Sequence, residues 1–329
     1  MRCPGSLPKG WNAMNAENSL MEPRVDARQL AHAGGQTSAL KRLFHKDGTW
    51  AFLLLLPNLL GFLAFTLIPV FASFFLSFTS WDMLTPVVWV GLQNYIDLWK
   101  DETFVKVFWN TIYFSAVSVP LGIVISLCLA AALDRISLKK FYRAAYFLPV
   151  VSSMVAIAVV WQFIYNPEYG IMNYVLGLFG VDGPDWLTST VWAMPAVILT
   201  SVWKNLGFNM LIFLAGLQGI SDDYYEAADL DGAKWHQKFL LITVPLLSPT
   251  TFFVTVMSFI ASFQVFDTIF LMTQGGPARS TSVIVHYLYE QGFKYFNMGY
   301  ASAMAYILFF MMFVITMFQF WRQRKWGDS

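Results

Sequence analysis

Six long runs of apolar residues constrain the fold of this chain more than any other feature of its sequence. Of the 329 residues, 57% are hydrophobic and 12% are charged, and a soluble core of ordinary size does not cover that much apolar surface. The hydrocarbon core of a bilayer, about 30 Å thick, covers runs of roughly 20 residues. The sequence therefore predicts an all-α membrane protein with six spans, near residues 50–79, 107–133, 142–165, 190–217, 249–272 and 299–321.

The basic residues near the span ends predict the orientation of the chain. If the N-terminus is inside, twelve Lys and Arg residues flank the inner ends of the spans and four flank the outer ends. An excess of this kind is typical of the cytoplasmic side. Both termini and the segment at about 218–248 are therefore expected in the cytoplasm.

Two parts are predicted along the chain. Residues 1–45 are polar and lack sustained periodicity, which predicts a mobile cytoplasmic tail, and residues 46–329 are predicted to form the transmembrane domain. The net charge of +1 gives no sign of a nucleic-acid partner. The lipid bilayer is the partner that the composition itself requires.

The segment from Glu226 to Pro249 has the pattern of a short helix, a glycine break and a second short helix. Ser221 is predicted to cap the first helix, because a serine oxygen accepts hydrogen bonds from the unpaired N–H groups of the first turn. Gly232 has no side chain, so it is suited to end this helix and turn the chain. Pro245 and Pro249 are predicted to mark the entry into the fifth span.

The same segment resembles the EAA loop, a cytoplasmic loop of permease subunits in bacterial binding-protein-dependent ABC importers. The residues that carry this resemblance are Glu226-Ala227-Ala228, Asp231-Gly232-Ala233, Phe239, Ile242, Pro245 and Pro249. Further similarity to the carbohydrate-uptake members, of the maltose, lactose and glycerol-3-phosphate type, lies in Val90-Gly91-Leu92-Gln93-Asn94-Tyr95, Asn110-Thr111 and Leu271-Met272-Thr273-Gln274-Gly275-Gly276-Pro277. Together these similarities cover roughly residues 50–325.

The resemblance implies a type I ABC importer permease fold in the inner membrane. The implied function is to move a sugar, an oligosaccharide or a polyol-type solute such as glycerol 3-phosphate. The implied partners are an ATP-binding cassette ATPase dimer, a second permease subunit, expected to be a different chain, and an external solute-binding protein. The loop would dock in a cleft of the ATPase, with the contact formed by Glu226, Ala227, Ala228, Asp231, Gly232 and Ala233.

No residue pattern in the sequence predicts catalysis. A phosphate-binding loop of the P-loop type needs a Gly-Lys pair, and the sequence contains none. The histidines, His32, His45, His236 and His286, are predicted to lie in tails or loops, and no cofactor or metal site is expected. ATP hydrolysis is therefore expected on a partner chain, and this subunit is not expected to be an enzyme.

Polar residues inside the fourth and fifth spans point to the solute. Lys204, Asn205 and Asn209 fall near the middle of the fourth span, and Gln264 and Asp267 lie three apart in the fifth. Residues three apart share one face of a helix, and polar groups at membrane depth usually face a bundle interior or a water-filled path. One hypothesis is a solute path lined by these five residues. The other is structural, with Lys204 paired to Asp267 or with the amides bridging helices.

Two other classes of protein remain open from the sequence. A secondary transporter would couple the solute to an ion gradient. Such transporters often contain paired halves, and no repeat of useful strength appears between the halves of this chain. A membrane-embedded enzyme would need catalytic residues at membrane depth, for which Asp267 alone is a poor candidate.

Overall fold

The computed structural model describes residues 47–134 and 139–327. The tail predicted at residues 1–45 lies outside the described residues. The chain divides into two compact units, and the boundary between them falls between Ile68 and Pro69. Every core cluster and cavity described below belongs to the second unit.

Helices account for most of residues 47–134 and 139–178, and this part of the chain contains one short hairpin, in which Thr79 pairs with Trp89. The elements are α1 (Asp47–Phe62), a π-helical turn (Leu63–Leu67), α2 (Ile68–Leu76), β1 (Thr79–Ser80), β2 (Val88–Trp89), α3 (Gln93–Lys100), α4 (Glu102–Asp134), α5 (Lys139–Val151), α6 (Met154–Ile164) and α7 (Ile171–Leu178).

From residue 179 to residue 327, all regular elements are helical. These are α8 (Ala193–Leu217), α9 (Asp223–Leu230), α10 (Trp235–Lys238), a π-helical turn (Phe239–Thr243), α11 (Val244–Leu246), α12 (Ser248–Phe263), α13 (Asp267–Met272), α14 (Ile284–Tyr289), a π-helical turn (Glu290–Lys294) and α15 (Met298–Gly327).

The apolar runs form helices of membrane-spanning length. Four helical stretches within the described residues are long and apolar enough to cross a bilayer, namely Ala51–Leu76, Glu102–Asp134, Ala193–Leu217 and Met298–Gln323. Two bent helix pairs bring the number to six if each pair is one span. The predicted all-α membrane fold is confirmed. One bent pair lies where the third span was predicted, and the other lies at the predicted start of the fifth span.

The predicted third span is not one straight helix. α5 and α6 meet at a break over Ser152 and Ser153, and their axes are bent by 99°. Pro149 lies in the last turn of α5, and proline weakens a helix because it lacks the N–H that would bond to the preceding turn. Ser153 then adopts an extended ψ of 131° before α6 begins.

The fifth span is also interrupted, and this corrects the interpretation of Gln264 and Asp267. α12 ends at Phe263, with Gln264 as its C-cap, and Asp267 is the first residue of α13. The two side chains therefore do not share one helix face. Asp267 begins a new helix because a carboxylate is favoured in a first turn, where the helix dipole is positive.

α8 lies at the centre of the second unit and packs against α4 and α5. Met210 and Phe213 of α8 cluster with Ala130 of α4 near one end of the helix. Near the other end, Val197 of α8 clusters with Phe114 of α4. Because one helix contributes to both clusters, residues placed along α8 are held by packing on several sides.

Gly207 allows α8 and α5 to approach closely. A Cβ atom at this position would lie 2.0 Å from the backbone oxygen of Tyr146. The atom in the way belongs to the backbone, so a side-chain rotation does not relieve the overlap. α8 tolerates only glycine here unless one of the two helices moves.

We expect Gly207→Ala to lower the stability of the purified protein by about 1–3 kcal/mol, because overpacking forces the backbone to shift. Thermal unfolding in detergent measures the effect. Gly61→Ala is the matched control, since a Cβ atom at Gly61 meets nothing within 4 Å. Equal melting temperatures for the two variants would show that α5 and α8 do not pack as described.

Candidate functional site

The segment from Ser221 to Leu246 forms two short helices joined by a glycine turn. α9 begins one residue later than the predicted cap implies, with Asp222 as the N-cap, and the Ser221 hydroxyl accepts the N–H of Asp223 at 3.3 Å. Gly232 has φ +74°, a left-handed conformation that favours glycine. The N–H of Ala233 then donates to the carbonyl of Ala228 at 2.9 Å, which closes the turn.

Two side-chain contacts brace this segment across the glycine turn. Lys238 pairs with Asp229 of α9. The hydroxyl of Tyr225 in α9 lies 2.9 Å from the hydroxyl of Thr243, which is 5% exposed and belongs to the π-helical turn after α10. These contacts fix α9 rigidly to α10 and to the π-helical turn that leads towards α12.

The residues predicted for the ATPase contact lie on the surface of the segment. Glu226, Ala227, Asp231 and Gly232 are exposed, and Ala228 and Ala233 are half-buried. Two large apolar side chains beside them are also exposed, Leu230 at 91% and Trp235 at 65%. The segment therefore presents a mixed surface of small, acidic and apolar residues that the described part of the chain leaves uncovered.

A cavity of about 360 Å³ brings together all five polar residues predicted for the spans. Lys204, Asn205 and Asn209 enter from α8, and Gln264 and Asp267 enter from the break between α12 and α13. Gln264 and Asp267 were expected to face one cavity because they would share a helix face. They do line one cavity, but the break between α12 and α13 brings them there. Whether solute passes here stays a prediction.

The contacts of the cavity residues test the structural hypothesis, in which Lys204 pairs with Asp267 or the amides bridge helices. Among the ion pairs of the described residues, none includes Lys204 or Asp267, so the pairing of these two is not observed. The Asn209 amide does bridge helices, by donating to the Ser258 hydroxyl at 3.3 Å. The Asn205 amide donates to the carbonyl of Ser201 in its own helix at 2.9 Å.

Sequence reasoning missed a third wall of the cavity, which α4 supplies. Ser118 of α4 lines it, as does Ser201 of α8, and both side-chain oxygens are buried without a hydrogen-bond partner in the described residues. A single serine within an apolar run carries no signal of its own, because serine packs in many membrane helices. Only the three-dimensional arrangement distinguishes these two serines from the others in the same helices.

The histidine prediction needs one correction. His286 lies within α14 and is 1% exposed, and its Nδ1 is 3.1 Å from the Ser282 hydroxyl. His236 lies in α10, also a helix. The short helix after the fifth span was too brief to recognise from periodicity, whereas the helix after the glycine turn was predicted and His236 should have been assigned to it. Within residues 47–134 and 139–327, no three His, Cys, Asp or Glu side chains are grouped as metal ligands would be.

A polar cluster holds the segment between α13 and α15 to the start of α4. The hydroxyls of Tyr287 and Tyr300 donate to Asp101 at 2.7 and 3.0 Å. Burial acts to raise the pKa of Asp101, but the hydrogen bonds from Tyr287, the Thr103 backbone and Tyr300 outweigh it and hold that pKa below its usual range. Asp101 is therefore a charged acceptor at neutral pH.

An ion pair stabilises the same segment. Arg279 donates to Glu290 at 2.7 Å, and Lys294 lies 3.5 Å from the other carboxylate oxygen. Burial acts to raise the pKa of Glu290, but the hydrogen bond and the charge of Arg279 prevail and lower it. The Glu290 carboxylate, only 12% exposed, is thus ionised and paired at neutral pH.

These features define a class of protein. A bundle of spanning helices with broken spans, a polar cavity at the breaks and an exposed two-helix segment joined to one span is the architecture of a transport permease. Residues 118–327 match the family described as binding-protein-dependent transport system inner membrane component. The chain belongs to this family, and it is a multi-pass inner-membrane permease of the ABC importer type.

Relatives of known name extend over nearly the whole chain. The lactose transport system permease protein LacF of Rhizobium radiobacter is 34% identical over 88% of this chain and 97% of its own length. The sn-glycerol-3-phosphate transport system permease protein UgpA of Salmonella typhimurium is 33% identical over 82% and 92%. The arabinooligosaccharides transport system permease protein AraP of Bacillus subtilis is 31% identical over 87% and 92%.

The fold has solved relatives as well. A chain of a bacterial ABC transporter involved in the import of the acidic polysaccharide alginate superposes with a TM-score of 0.74, at 26% identity, over 84% of this chain and 95% of its own. A chain from the bacterial alginate ABC transporter in complex with an alginate pentasaccharide-bound periplasmic protein gives 0.72 at 25% identity, over 82% and 92%. The type I importer permease fold is thereby confirmed, and the ion-coupled alternative finds no support.

The Arg279–Glu290 pair predicts a pH dependence of stability. The pKa of Glu290 is lower in the folded chain than the usual value of 4.5 for this side chain, so the pair stabilises the fold above that pH and the stabilisation is lost as pH falls through the folded pKa. We expect Arg279→Leu to destabilise the protein at pH 7 by about 1–3 kcal/mol, typical of a lost hydrogen bond to a charged group.

Thermal melting of wild type and Arg279→Leu at pH 7 and pH 3.5 measures this effect. The gap between their melting temperatures should narrow at the lower pH, while Arg279→Lys keeps most of the wild-type stability at pH 7. A gap of equal size at both pH values would exclude the ion pair as its source.

Proposed function

We propose that this chain is one membrane-spanning permease subunit of an ABC importer for a sugar or a related polyol-type solute, driven by ATP hydrolysis on a partner subunit. The observation that carries the proposal is the exposed segment from α9 to α11, which is braced internally and continues directly into α12. Because the segment is rigid, a displacement of its surface is transmitted to α12, the membrane helix that follows it.

The coupling contact is proposed at Glu226, Ala227, Ala228, Asp231, Gly232 and Ala233. Small residues let the groove of another protein approach closely, and Glu226 offers an exposed charge for it. Leu230 and Trp235 add apolar area at the same surface, and buried aromatic residues often dominate the energy of an interface. The Asp229–Lys238 ion pair and the Tyr225–Thr243 hydrogen bond keep the segment rigid when a partner pushes or pulls on it.

Partners follow from what the chain lacks. Its sequence has no P-loop, so an ATPase dimer is proposed to bind the coupling segment. One chain with one such segment supplies half of a two-fold arrangement, so a second permease subunit, proposed to be a different chain, completes the path. An external solute-binding protein delivers the solute, in keeping with the solved relative that was captured with a periplasmic protein.

This arrangement requires one orientation. The coupling segment and both termini face the cytoplasm, and the segment between α13 and α15 faces outwards. The excess of Lys and Arg residues near the proposed inner ends supports it.

The solute path is proposed at the cavity between α8 and the α12–α13 break. Lys204, Asn205, Asn209, Gln264 and Asp267 line it. Each amide nitrogen of Asn205 and Asn209 donates one hydrogen bond within the protein, which leaves its second N–H and the side-chain oxygen for a solute. Carbonyl oxygens accept from hydroxyl groups, which suits a sugar or polyol, and the names of LacF and AraP indicate solutes of this class for those relatives.

Co-purification tests the proposal as a whole. An affinity-tagged chain, extracted in mild detergent from its native host, is expected to bring down an ATPase subunit and a second permease. Uptake should stop when ATP is depleted and should persist when the ion gradients are collapsed. The reverse pattern, with no ATPase recovered, would favour a secondary transporter.

We expect Glu226→Lys and Gly232→Pro to abolish transport while the protein still reaches the membrane. The first reverses the exposed charge, and the second places a residue fixed near φ −65° where the chain needs φ +74°. Uptake assays with membrane immunoblots measure both effects. Glu168→Lys, an exposed charge outside the segment, is the control, and wild-type uptake in both test variants would rule out the coupling role.

Gln264→Ala and Asp267→Asn are expected to reduce uptake by about fivefold or more each, since a hydrogen bond to the solute contributes about 1 kcal/mol. ATP hydrolysis stimulated by the solute-loaded binding protein should fall with uptake. Asn58→Ala, which removes an exposed amide of α1 outside the cavity and outside the coupling segment, serves as the control for loss of an amide elsewhere. Unchanged uptake and unchanged stimulation in both cavity variants would remove the cavity from the path.

A further inference from the structure

The proposed solute cavity contains two hydroxyl groups that the chain itself does not use. Ser118 of α4 and Ser201 of α8 line the cavity and are 9% and 7% exposed. Neither Oγ atom has a hydrogen-bond partner in the described residues. Buried polar groups are nearly always paired in native proteins, so each exception calls for a physical reason.

Other buried hydroxyls in the same two helices are paired. Thr111 donates to the Val107 carbonyl one turn back at 2.8 Å, and Thr200 does the same to Ala196 at 3.0 Å. This back-bonding is the usual solution for a hydroxyl in a membrane helix. The helices therefore offer carbonyl partners, and Ser118 and Ser201 leave them unused.

Serine pairs between helices also occur, but they involve other residues. Ser115 of α4 accepts a hydrogen bond from Ser262 of α12 at 2.9 Å. Ser126 of α4 donates to the Leu206 carbonyl of α8 at 3.3 Å. Ser118 lies between these two in the sequence and differs from both in lining the cavity without a partner.

We propose that Ser118 and Ser201 are solute-contacting residues, which bind hydroxyl groups of a sugar or polyol as it passes between α4 and α8. The inference rests on the proposed function, and it adds α4 as a third wall of the path. A serine hydroxyl both donates and accepts, so it can pair with either the hydrogen or the oxygen of a solute hydroxyl.

The rest of the lining fits the same class of solute. Phe208 and Phe266 border the cavity with apolar ring surface, and Val202 and Met257 add aliphatic surface. Sites for small molecules are mostly apolar with a few placed polar groups, and a sugar presents C–H faces together with its hydroxyls. Two donor-acceptor hydroxyls on different helices allow such a solute to exchange partners as it moves.

A comparison of Ser→Ala variants separates this role from a structural one. Ser118→Ala and Ser201→Ala remove hydroxyls that stabilise nothing within the chain, so their melting temperatures are expected to equal or exceed that of the wild type. Ser126→Ala removes a paired hydroxyl and should lower the melting temperature. A loss of stability in Ser118→Ala and Ser201→Ala as large as that in Ser126→Ala would overturn the proposal.

Cysteine labelling tests whether the two positions face the path. In a background with both native cysteines replaced, Cys3→Ser and Cys128→Ser, the assembled importer carries Ser118→Cys, Ser201→Cys or the control Ser126→Cys, and is treated with a small water-soluble methanethiosulfonate reagent. Labelling is expected at 118 and 201 and not at 126. Labelling should be slowed by lactose or sn-glycerol 3-phosphate, whichever stimulates ATP hydrolysis in the wild-type importer with its binding protein.

Transport supplies the third readout. Ser118→Ala and Ser201→Ala are expected to raise the KM for uptake of the stimulating probe by about fivefold each, the effect of one lost hydrogen bond. Wild-type KM in both variants, or no labelling at either position, would overturn the inference. A wild-type importer that binds no ATPase and responds to neither probe would instead contradict the proposed function, and the melting and labelling results would still decide whether the two serines face an aqueous path.

Discussion

The bilayer offers no hydrogen bonds to a backbone, and this constraint governs the whole molecule. Each spanning run has to pair its own N–H and C=O groups, so it becomes a helix. A break is tolerated only where it is buried in protein or lines a water-filled cavity. The break after α12 meets this condition, because Phe263 and Thr268 on either side are buried and the N–H of Gln264 still bonds to the Ile260 carbonyl. The surrounding packing thus permits the interruption of the span, and the polar cavity lies at this interruption.

The coupling segment and the cavity are joined through α12. Its N-terminal end follows the bend at Leu247, directly after the braced segment, and its C-terminal end opens into the cavity at Gln264. In the proposed coupling role, a displacement at Gly232 would pass through α10, α11 and the bend at Leu247 to α12, and along α12 to the residues proposed to meet the solute. α8 packs closely on α5 at Gly207 and also contacts α12. Any movement of α12 would therefore take place against a helix that is held in position by its other neighbour.

The sequence was sufficient for the parts of the fold that depend on periodicity and on local turn chemistry. The apolar runs predict the spans, and Gly232 was expected at a turn because few other residues adopt a left-handed conformation easily. The bend at Ser152 and Ser153 and the break before Asp267 were not predicted, because a helix interruption in an apolar run depends on which neighbours cover it. The cavity residues of α8 and of the break between α12 and α13 were identified because charges and amides are rare in spans. Ser118 and Ser201 could not be identified this way, because only the structure shows that their hydroxyls line the cavity without a hydrogen-bond partner in the described residues.

Cross-linking at the surface of the coupling segment is the most direct test of the coupling role. In a background with Cys3→Ser and Cys128→Ser, which removes both native cysteines, Ala227→Cys in α9 is treated with a short thiol-reactive cross-linker in native membranes, and the products are identified by mass spectrometry. The coupling role predicts one dominant adduct, to an ATPase subunit, whose yield changes between ATP-bound and nucleotide-free states. An Ala227→Cys chain that reacts with water-soluble reagents only from the outer face of the membrane, and never with an ATPase, would contradict it.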